Sequence, residues 1–176
     1  MLALIIPQNN AALNTQNKNN IPDETGSLIS RDEAKAALNA HNKARNEVGN
    51  KPLEWSAELA KYAQEWADYL AEKNNCRIAH RSSLGKADRV IGENIFWGTG
   101  KKYSAEEAAK AWYSEKKDYT HQPISRHSDS KTGHYTQMVW KSTRKVGIGK
   151  AKCSNGSTII VANYDPPGNV IGEKPY

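Results

Sequence analysis

Hydrophobic and polar residues follow two different periods along the chain, and the change of period separates a helical part from a strand-forming part. From Leu59 to Leu70, apolar side chains recur every three or four residues, which predicts an amphipathic helix with one wide buried face. Near the C-terminus, RKVGIGKAK and STIIVANY have strand character and are separated by CSNGS. Asn155-Gly156 in that connection favours a tight turn, so the two segments predict a β-hairpin.

Capping residues predict where the helices begin. Ser30 and Glu33 have the spacing of a capping box, in which the Ser hydroxyl accepts from the Glu amide and the Glu carboxylate reaches back. The same spacing recurs at Ser104 and Glu107. We predict four helices, which follow Ser30, Ser56, Ser104 and Thr132, the first of them extending to about Val48. Helices followed by an antiparallel hairpin indicate an α+β domain.

The N-terminal segment has a different composition from the rest of the chain. Residues 8–29 are dominated by Asn and Gln, and such a tract buries too little apolar surface to offset its ordering entropy. We therefore expect residues 1–29 to be a disordered leader or the remnant of a secretion signal, and residues 30–176 to form the domain. The apolar run in MLALIIPQ is shorter than a signal-peptide core, and no other segment is apolar enough to cross a bilayer.

Charge and cysteine content narrow the class of protein. The formal net charge is +6, but Lys and Arg are scattered and their densest runs are pairs, so we expect a solvated basic surface and no nucleic-acid partner. Cys76 and Cys153 do not form a CxxC motif, which excludes a thiolate metal site on spacing. They fit one disulfide in an exported protein or two buried thiols in a cytosolic one, and the sequence leaves both open.

Local catalytic motifs are absent from the sequence. It contains no HExxH, EF-hand, phosphate-binding loop or GxSxG motif, so a serine hydrolase with a nucleophile elbow is not expected. Five histidines are present, and a single histidine beside apolar residues is more often a hydrogen-bonded core group than a ligand. A functional role would require histidines to meet carboxylates that lie far away in the sequence.

Several separate motifs occur in one order along the chain. HNKAR at residues 41–45 and GENIFWG at residues 92–98 precede GHYTQMVW, VGIGKAKC and IIVANYDPPGNVIGEKPY. Together they resemble the CAP superfamily of cysteine-rich secretory proteins, insect antigen 5 and group-1 pathogenesis-related proteins, in particular its compact single-domain plant-type or microbial members. The resemblance covers roughly residue 31 to the C-terminus. It implies an α–β–α sandwich with a central antiparallel sheet.

The resemblance also implies a cleft that holds two histidines and two glutamates. Matched motif by motif, these are His80 in RIAHRS, Glu93 in GEN, Glu115 in AWYSEKK and His134 in GHYT. His80 and His134 would bind Zn²⁺ or a similar divalent metal. Two protein ligands are fewer than the three of a typical catalytic zinc site, so the metal should be held weakly and in a pH-dependent way.

The resemblance leaves three functions open. The cleft could serve an extracellular or envelope-facing binding module for a lipid or sterol, a glycan or a peptide, with the protein as a monomer or weak dimer. It could belong to a metal-assisted hydrolase of peptides or cell-wall material, with Glu93 and Glu115 as catalytic groups. It could also be purely structural.

Other matched positions are expected to support the fold. His41, Asn42 and Arg45 should tie the first helix to its neighbours, and Asn94 and Tyr164 should make buried hydrogen bonds beneath the cleft. Plant-type members carry cysteines at the positions of Ile148 and Ala162, so most of their disulfide framework is missing from this chain.

Overall fold

Helices cover both faces of a four-stranded sheet. The structure, a computed structural model, describes residues 21–125 and 129–176, with the side chains of residues 129 and 130 excepted. Short 3₁₀ turns lie at Ser82–Leu84 and Glu115–Asp118. The elements in chain order are α1 (Arg31–Glu47), β1 (Glu54–Trp55), α2 (Ala57–Glu72), β2 (Gly92–Gly98), α3 (Ala105–Ser114), α4 (Asp129–Met138), β3 (Lys145–Lys152) and β4 (Thr158–Asp165).

The strands lie in the order β1-β3-β4-β2 in the described sheet, which places β2 at an edge. Strands β2, β4 and β3 are antiparallel, and β3 and β4 form the predicted hairpin. The expectation of a wholly antiparallel sheet is wrong in one respect, since β1 pairs with β3 in parallel. This strand has two residues, and the amides of Glu54 and Ser56 donate to the carbonyls of Arg144 and Val146, both at 2.9 Å. The sheet is therefore mixed.

The expected α–β–α sandwich is confirmed, with α2 on one face of the sheet and α1, α3 and α4 on the other. Side chains alternate across a strand, so β2, β3 and β4 each contribute to both apolar clusters. Gly147 and Gly149 allow α2 to lie directly on β3, because a Cβ at either position would meet the backbone of Ala60 or of Gln64. The VGIG sequence thus fixes how closely helix and sheet approach.

The expectation that the domain begins near Ser30 is wrong for residues 21–29. Ile21 and Ile29 are buried in the same cluster as α1 and α3. The Ser27 hydroxyl donates to the Ile148 carbonyl at 2.7 Å, and the Leu28 amide donates to Gln64 Oε1 at 3.1 Å. Two apolar anchors and specific partners on α2 and β3 are enough to order this polar segment. Residues 1–20 of the expected leader lie outside the described residues.

Most capping predictions are confirmed. Ser56 caps α2, and Ser104 with Glu107 forms a complete capping box on α3. Ser30 caps α1, but the Glu33 carboxylate instead accepts from the Ala105 amide at 2.8 Å and from Lys150 Nζ at 2.7 Å, so the predicted box is only half formed.

The predicted start of the fourth helix is wrong. This helix begins at Asp129, so Thr132 lies inside it and does not cap it. A cap can be predicted only from residues close in sequence. In this helix the amides of His134 and Tyr135 donate to the Glu115 carboxylate, which lies nineteen residues before His134 and could not be predicted from the local sequence.

Cys76 and Cys153 form a disulfide, with their Cα atoms 5.8 Å apart. The bond links the segment after α2 to the end of β3, and Cys153 is 3% exposed within the apolar cluster under α2. Of the two alternatives that the sequence left open, the structure has the disulfide.

Candidate functional site

The first histidine and glutamate of the expected site are in direct contact. His80 Nδ1 lies 2.9 Å from Glu93 Oε1, and the Arg81 amide donates to the same oxygen at 3.0 Å. Glu93 comes from β2, whereas His80 and Arg81 belong to the loop before the 3₁₀ turn. The side chain of His80 is 52% exposed and that of Glu93 is 10% exposed. The carboxylate therefore fixes the ring while the rest of the imidazole faces solvent.

The second pair is built in the same way from two helical segments. His134 Nδ1 on α4 lies 2.6 Å from Oε1 of Glu115, the residue that follows α3. The other oxygen of Glu115 accepts the amides of His134 and Tyr135 at 3.0 and 3.1 Å. Trp112 stacks beside the His134 ring, with centroids 6.2 Å apart. Both carboxylate oxygens of Glu115 are thus occupied in holding one histidine.

The two pairs meet the edge strand at consecutive residues. Glu93 binds His80, and the next residue, Asn94, donates from Nδ2 to the His134 carbonyl at 3.1 Å. Both histidine–glutamate pairs are therefore tied to the same end of β2. Sequence alone could not give this relationship, because it depends on how α4 docks on the sheet.

A buried hydrogen-bond chain supports the second pair from beneath. Asn94 Nδ2 donates to the Tyr164 hydroxyl at 3.1 Å, and that hydroxyl lies 2.9 Å from His41 Nε2. His41 Nδ1 donates to the Ala37 carbonyl at 2.8 Å, so its Nε2 accepts the Tyr164 proton. The prediction that Asn94 and Tyr164 make buried supporting bonds is confirmed.

The expected tie between α1 and its neighbours is also confirmed. The Asn42 side chain exchanges two bonds with the backbone of Leu53, donating to its carbonyl at 3.1 Å and accepting its amide at 2.7 Å. Arg45 is fully buried, and its guanidinium donates to carbonyls of four residues: Lys51, Met138, Trp140 and Thr143. The HNKAR motif therefore anchors the segments on either side of the site without belonging to it.

Burial and pairing shift the pKa values of two histidines in opposite directions. Burial lowers the pKa of His41 to about 4, so this ring is neutral at physiological pH, as its hydrogen bonds require. The hydrogen bond to Glu93 raises the pKa of His80 above its ordinary value, although partial burial opposes the shift. As the pH rises, His80 therefore keeps its second proton to a higher pH than a free histidine, and a metal would have to displace that proton.

The donor set fits a weakly held divalent metal. In each pair the δ-nitrogen proton points to a carboxylate, which leaves Nε2 without a hydrogen-bond partner among the described residues. A carboxylate that orients a histidine from behind is the usual support of an imidazole metal ligand. In the described ranges no group of three or more His, Cys, Asp and Glu side chains is placed to hold a metal ion, so those residues do not form the three-ligand arrangement of a typical catalytic zinc site.

Two further polar residues beside Glu93 escaped the sequence analysis. Arg81 sits over the Tyr62 ring, 3.7 Å from its centroid, and Asn163 pairs across the sheet with Glu93. The signal for Asn163 was available, because it is a polar residue within an apolar strand sequence and strand alternation gives it an inward-facing position. Arg81 carried no comparable signal, because its contact with Glu93 is made by the backbone.

These features, an α–β–α sandwich with two histidine–glutamate pairs tied to one end of an edge strand, define a class of protein. Residues 38–164 match the family model for CAP, described as the cysteine-rich secretory protein family. The chain therefore belongs to the CAP family. No helix in the described part of the chain is long and apolar enough to span a membrane.

Curated relatives and solved structures agree with this assignment. Pathogenesis-related protein 1C of Nicotiana tabacum is 43% identical over 139 residues, which cover 79% of this chain and 78% of that protein. Pathogenesis-related protein 1 of Arabidopsis thaliana is 40% identical over 139 residues, which cover 79% of this chain and 80% of that protein.

Among solved structures, NaASP2 with Zn²⁺ is 26% identical, with a TM-score of 0.72 over 89% of this chain and 90% of that one. BmVAL-1 is also 26% identical, with a TM-score of 0.68 over 86% and 84% of the two chains.

Proposed function

We propose that this protein is an extracellular CAP-domain binding module whose cleft holds a divalent metal through the ε-nitrogens of His80 and His134. Glu93 and Glu115 orient the two rings. The observation that carries the proposal is the repeated arrangement in which a carboxylate holds Nδ1 and leaves Nε2 for a ligand. A metal in this position would supply a Lewis-acidic contact to an incoming ligand.

The metal proposal is supported by the solvent exposure of the two histidines and by the similarity of this chain to a structure solved with Zn²⁺. The side chains of His80 and His134 are 52% and 36% exposed, so a cation from solvent can reach them. NaASP2, which is similar over nine tenths of this chain, was solved with Zn²⁺. Imidazole nitrogens are the ligands that zinc prefers beside thiolates, and two of them give modest affinity.

A binding role fits the carboxylates better than a hydrolytic one. Glu115 directs both oxygens to His134 and the amides of α4, an arrangement that favours an orienting role over proton transfer. Glu93 has one oxygen engaged by His80 and Arg81. The hydrolase alternative would require peptide or glycan turnover that Glu93→Gln abolishes, whereas a binding module gives no turnover with either form.

The extracellular location is supported by the disulfide and by the relatives. A disulfide between Cys76 and Cys153 is typical of proteins that fold in an oxidising compartment. The similar tobacco and Arabidopsis proteins are named pathogenesis-related, which suggests a defence role for a secreted protein of this kind.

Calorimetric titration with ZnCl₂ tests the metal site. We expect one weak site in the wild type, reduced affinity in each single variant and no uptake after His80→Ala together with His134→Ala. His121→Ala is the matched control, because His121 is exposed and its contacts within the described residues are with the Tyr176 carbonyl and ring. Affinity should fall as the pH is lowered, since protons compete for the rings. Equal uptake by the double variant and the wild type would refute the assignment.

A further inference from the structure

A cavity of about 480 Å³ lies beside the His80–Glu93 pair. Its volume is within the range of small-ligand sites. One wall is the loop of residues 81–91 and the other is the sheet face that carries α2. The residues that matter to its chemistry are Tyr62, Arg81, Asp88, Ile91, Glu93 and Asn163.

Besides the buried Tyr62 hydroxyl, which interacts with the Asp88 carboxylate, two buried polar atoms at this cavity have no hydrogen-bond partner among the described residues: Arg81 Nε and Asn163 Oδ1. Asn163 is fully buried, and its amide nitrogen donates to the Gly92 carbonyl at 3.2 Å. Its carbonyl oxygen is left as a buried acceptor. An unpaired buried acceptor is unfavourable, so it calls for a partner that the described residues do not supply.

Each terminal nitrogen of Arg81 makes one hydrogen bond, whereas the buried Nε makes none in the described part of the chain. Its terminal nitrogens lie 3.3 Å from the Tyr62 carbonyl and 3.5 Å from Glu65 Oε2. The guanidinium plane lies against the Tyr62 ring, and the side chain is 15% exposed. Tyr62 is further covered by Arg89, whose guanidinium carbon lies 4.8 Å from the ring centroid. These contacts fix one N–H donor at the cavity.

Glu93 adds a second acceptor. Its Oε1 accepts from His80 and Arg81, whereas Oε2 has no partner in the described ranges. The unpaired atoms described here are therefore one donor, Arg81 Nε–H, and two acceptors, Asn163 Oδ1 and Glu93 Oε2. A matching ligand group must accept one hydrogen bond and donate two.

We propose that this cavity binds a pair of neighbouring hydroxyl groups on a neutral sugar, and that the ligand of the His/Glu site is a neutral glycan. The inference rests on the binding function proposed above and names its ligand class. Two hydroxyls supply both donors and the required lone pair. A carboxylate or phosphodiester can accept from Arg81 but cannot donate to Asn163 or Glu93, so it leaves both acceptors unpaired, and a lipid chain leaves all three atoms unpaired. A single peptide bond has one N–H for two acceptors.

Saturation-transfer NMR with cellohexaose and laminarihexaose tests the proposal. We expect saturation transfer from the wild-type protein to at least one of these two sugars. In Arg81→Lys and in Asn163→Leu the affinity for that sugar should fall tenfold or more. Arg81→Lys keeps the positive charge but removes the Nε–H donor. Arg77→Lys is the matched control, because Arg77 lies on the same segment and does not line the cavity. An oligogalacturonide and a glutamine-rich peptide serve as competing probes.

A second measurement keeps the test valid if Asn163→Leu does not fold. The Arg81 Nε–H resonance of the wild-type protein should shift on addition of the sugar, with the metal chelated as well as present. Zinc titration of the wild type without sugar, together with the sugar titration under chelation, separates failure of the sugar site from failure of the metal site. The proposal is overturned if no neutral sugar binds and the cavity holds only water, if both variants bind sugar normally, or if the anionic or peptide probe is preferred.

Discussion

Asn94 holds the backbone carbonyl of His134 at 3.1 Å, and through this bond an edge strand positions the helix that carries a proposed metal ligand. The second N–H of the same amide reaches the Tyr164 hydroxyl. Asn94 is 2% exposed, so neither bond has water as a substitute. The GEN motif thus contributes in two ways, since Glu93 orients His80 and Asn94 fixes His134.

Tyr164→Phe should destabilise the protein by about 2 kcal/mol, because it leaves His41 Nε2 as a buried acceptor and one Asn94 N–H as a buried donor. Urea denaturation measures the loss. Tyr119→Phe removes a hydroxyl that bonds to the Gln122 carbonyl near the surface, and it should change stability by less than about 0.5 kcal/mol. Equal effects of the two changes would contradict the role of the buried chain.

Glu115→Gln should weaken zinc binding by about 10–100-fold, because an amide cannot accept from His134 Nδ1 and from both backbone amides at once. Titration calorimetry measures the affinity and denaturation the accompanying loss of stability. Glu106→Gln on the exposed side of α3, where Glu106 pairs with Lys110, is the control and should leave zinc affinity unchanged. Undiminished affinity in Glu115→Gln would show that ring orientation does not matter.

The buried His41 predicts a loss of stability in mild acid. Its pKa is about 4 in the folded protein against 6.5 in the unfolded chain, so unfolding takes up a proton between these values. The free energy of unfolding should fall by about 3 kcal/mol as the pH drops from 6.5 to 4. His41→Gln should flatten this dependence, whereas His121→Gln should retain it.

The titration of His80 changes the free energy of unfolding in the opposite direction, so it contributes to the same pH profile. The hydrogen bond to Glu93 raises the pKa of His80 in the folded protein. Its contribution to stability is therefore complete below the pKa of the unfolded chain and is lost as the pH rises through the pKa of the folded protein. Because the ring is half exposed, solvent screens this contribution and it should be the smaller of the two. A stability profile that rose on acidification from pH 6.5 to 4 would contradict the assignment to His41.

Removing the disulfide should cost about 4 kcal/mol, the chain-entropy value for a crosslink between residues 77 positions apart. The comparison is between the wild type and Cys76→Ala with Cys153→Ala, measured by denaturation with and without a reductant. The reductant should destabilise the wild type and leave the double variant unchanged. An equal response of both proteins would mean that the reductant acts elsewhere.

The sequence by itself determined the elements whose signals are local. The cap at Ser56, the box of Ser104 with Glu107, and the turn with Gly156 at φ +84° each depend on bonds within a few residues, and all three stand as predicted. The family motifs likewise indicated the sandwich and the four site residues, although the motifs themselves carry no distances.

Tertiary structure alone decided which distant groups meet. The Glu33 carboxylate accepts from Ala105 and Lys150 and does not cap its own helix. Helix α4 begins before Thr132. Residues 21–29 are ordered by hydrogen bonds to α2 and β3. The same is true of His134 with Glu115 and of Asn163 beside Glu93. Local hydrogen bonds leave their trace in residue spacing, whereas bonds across the core arise from the packing of whole elements, which residue spacing does not encode.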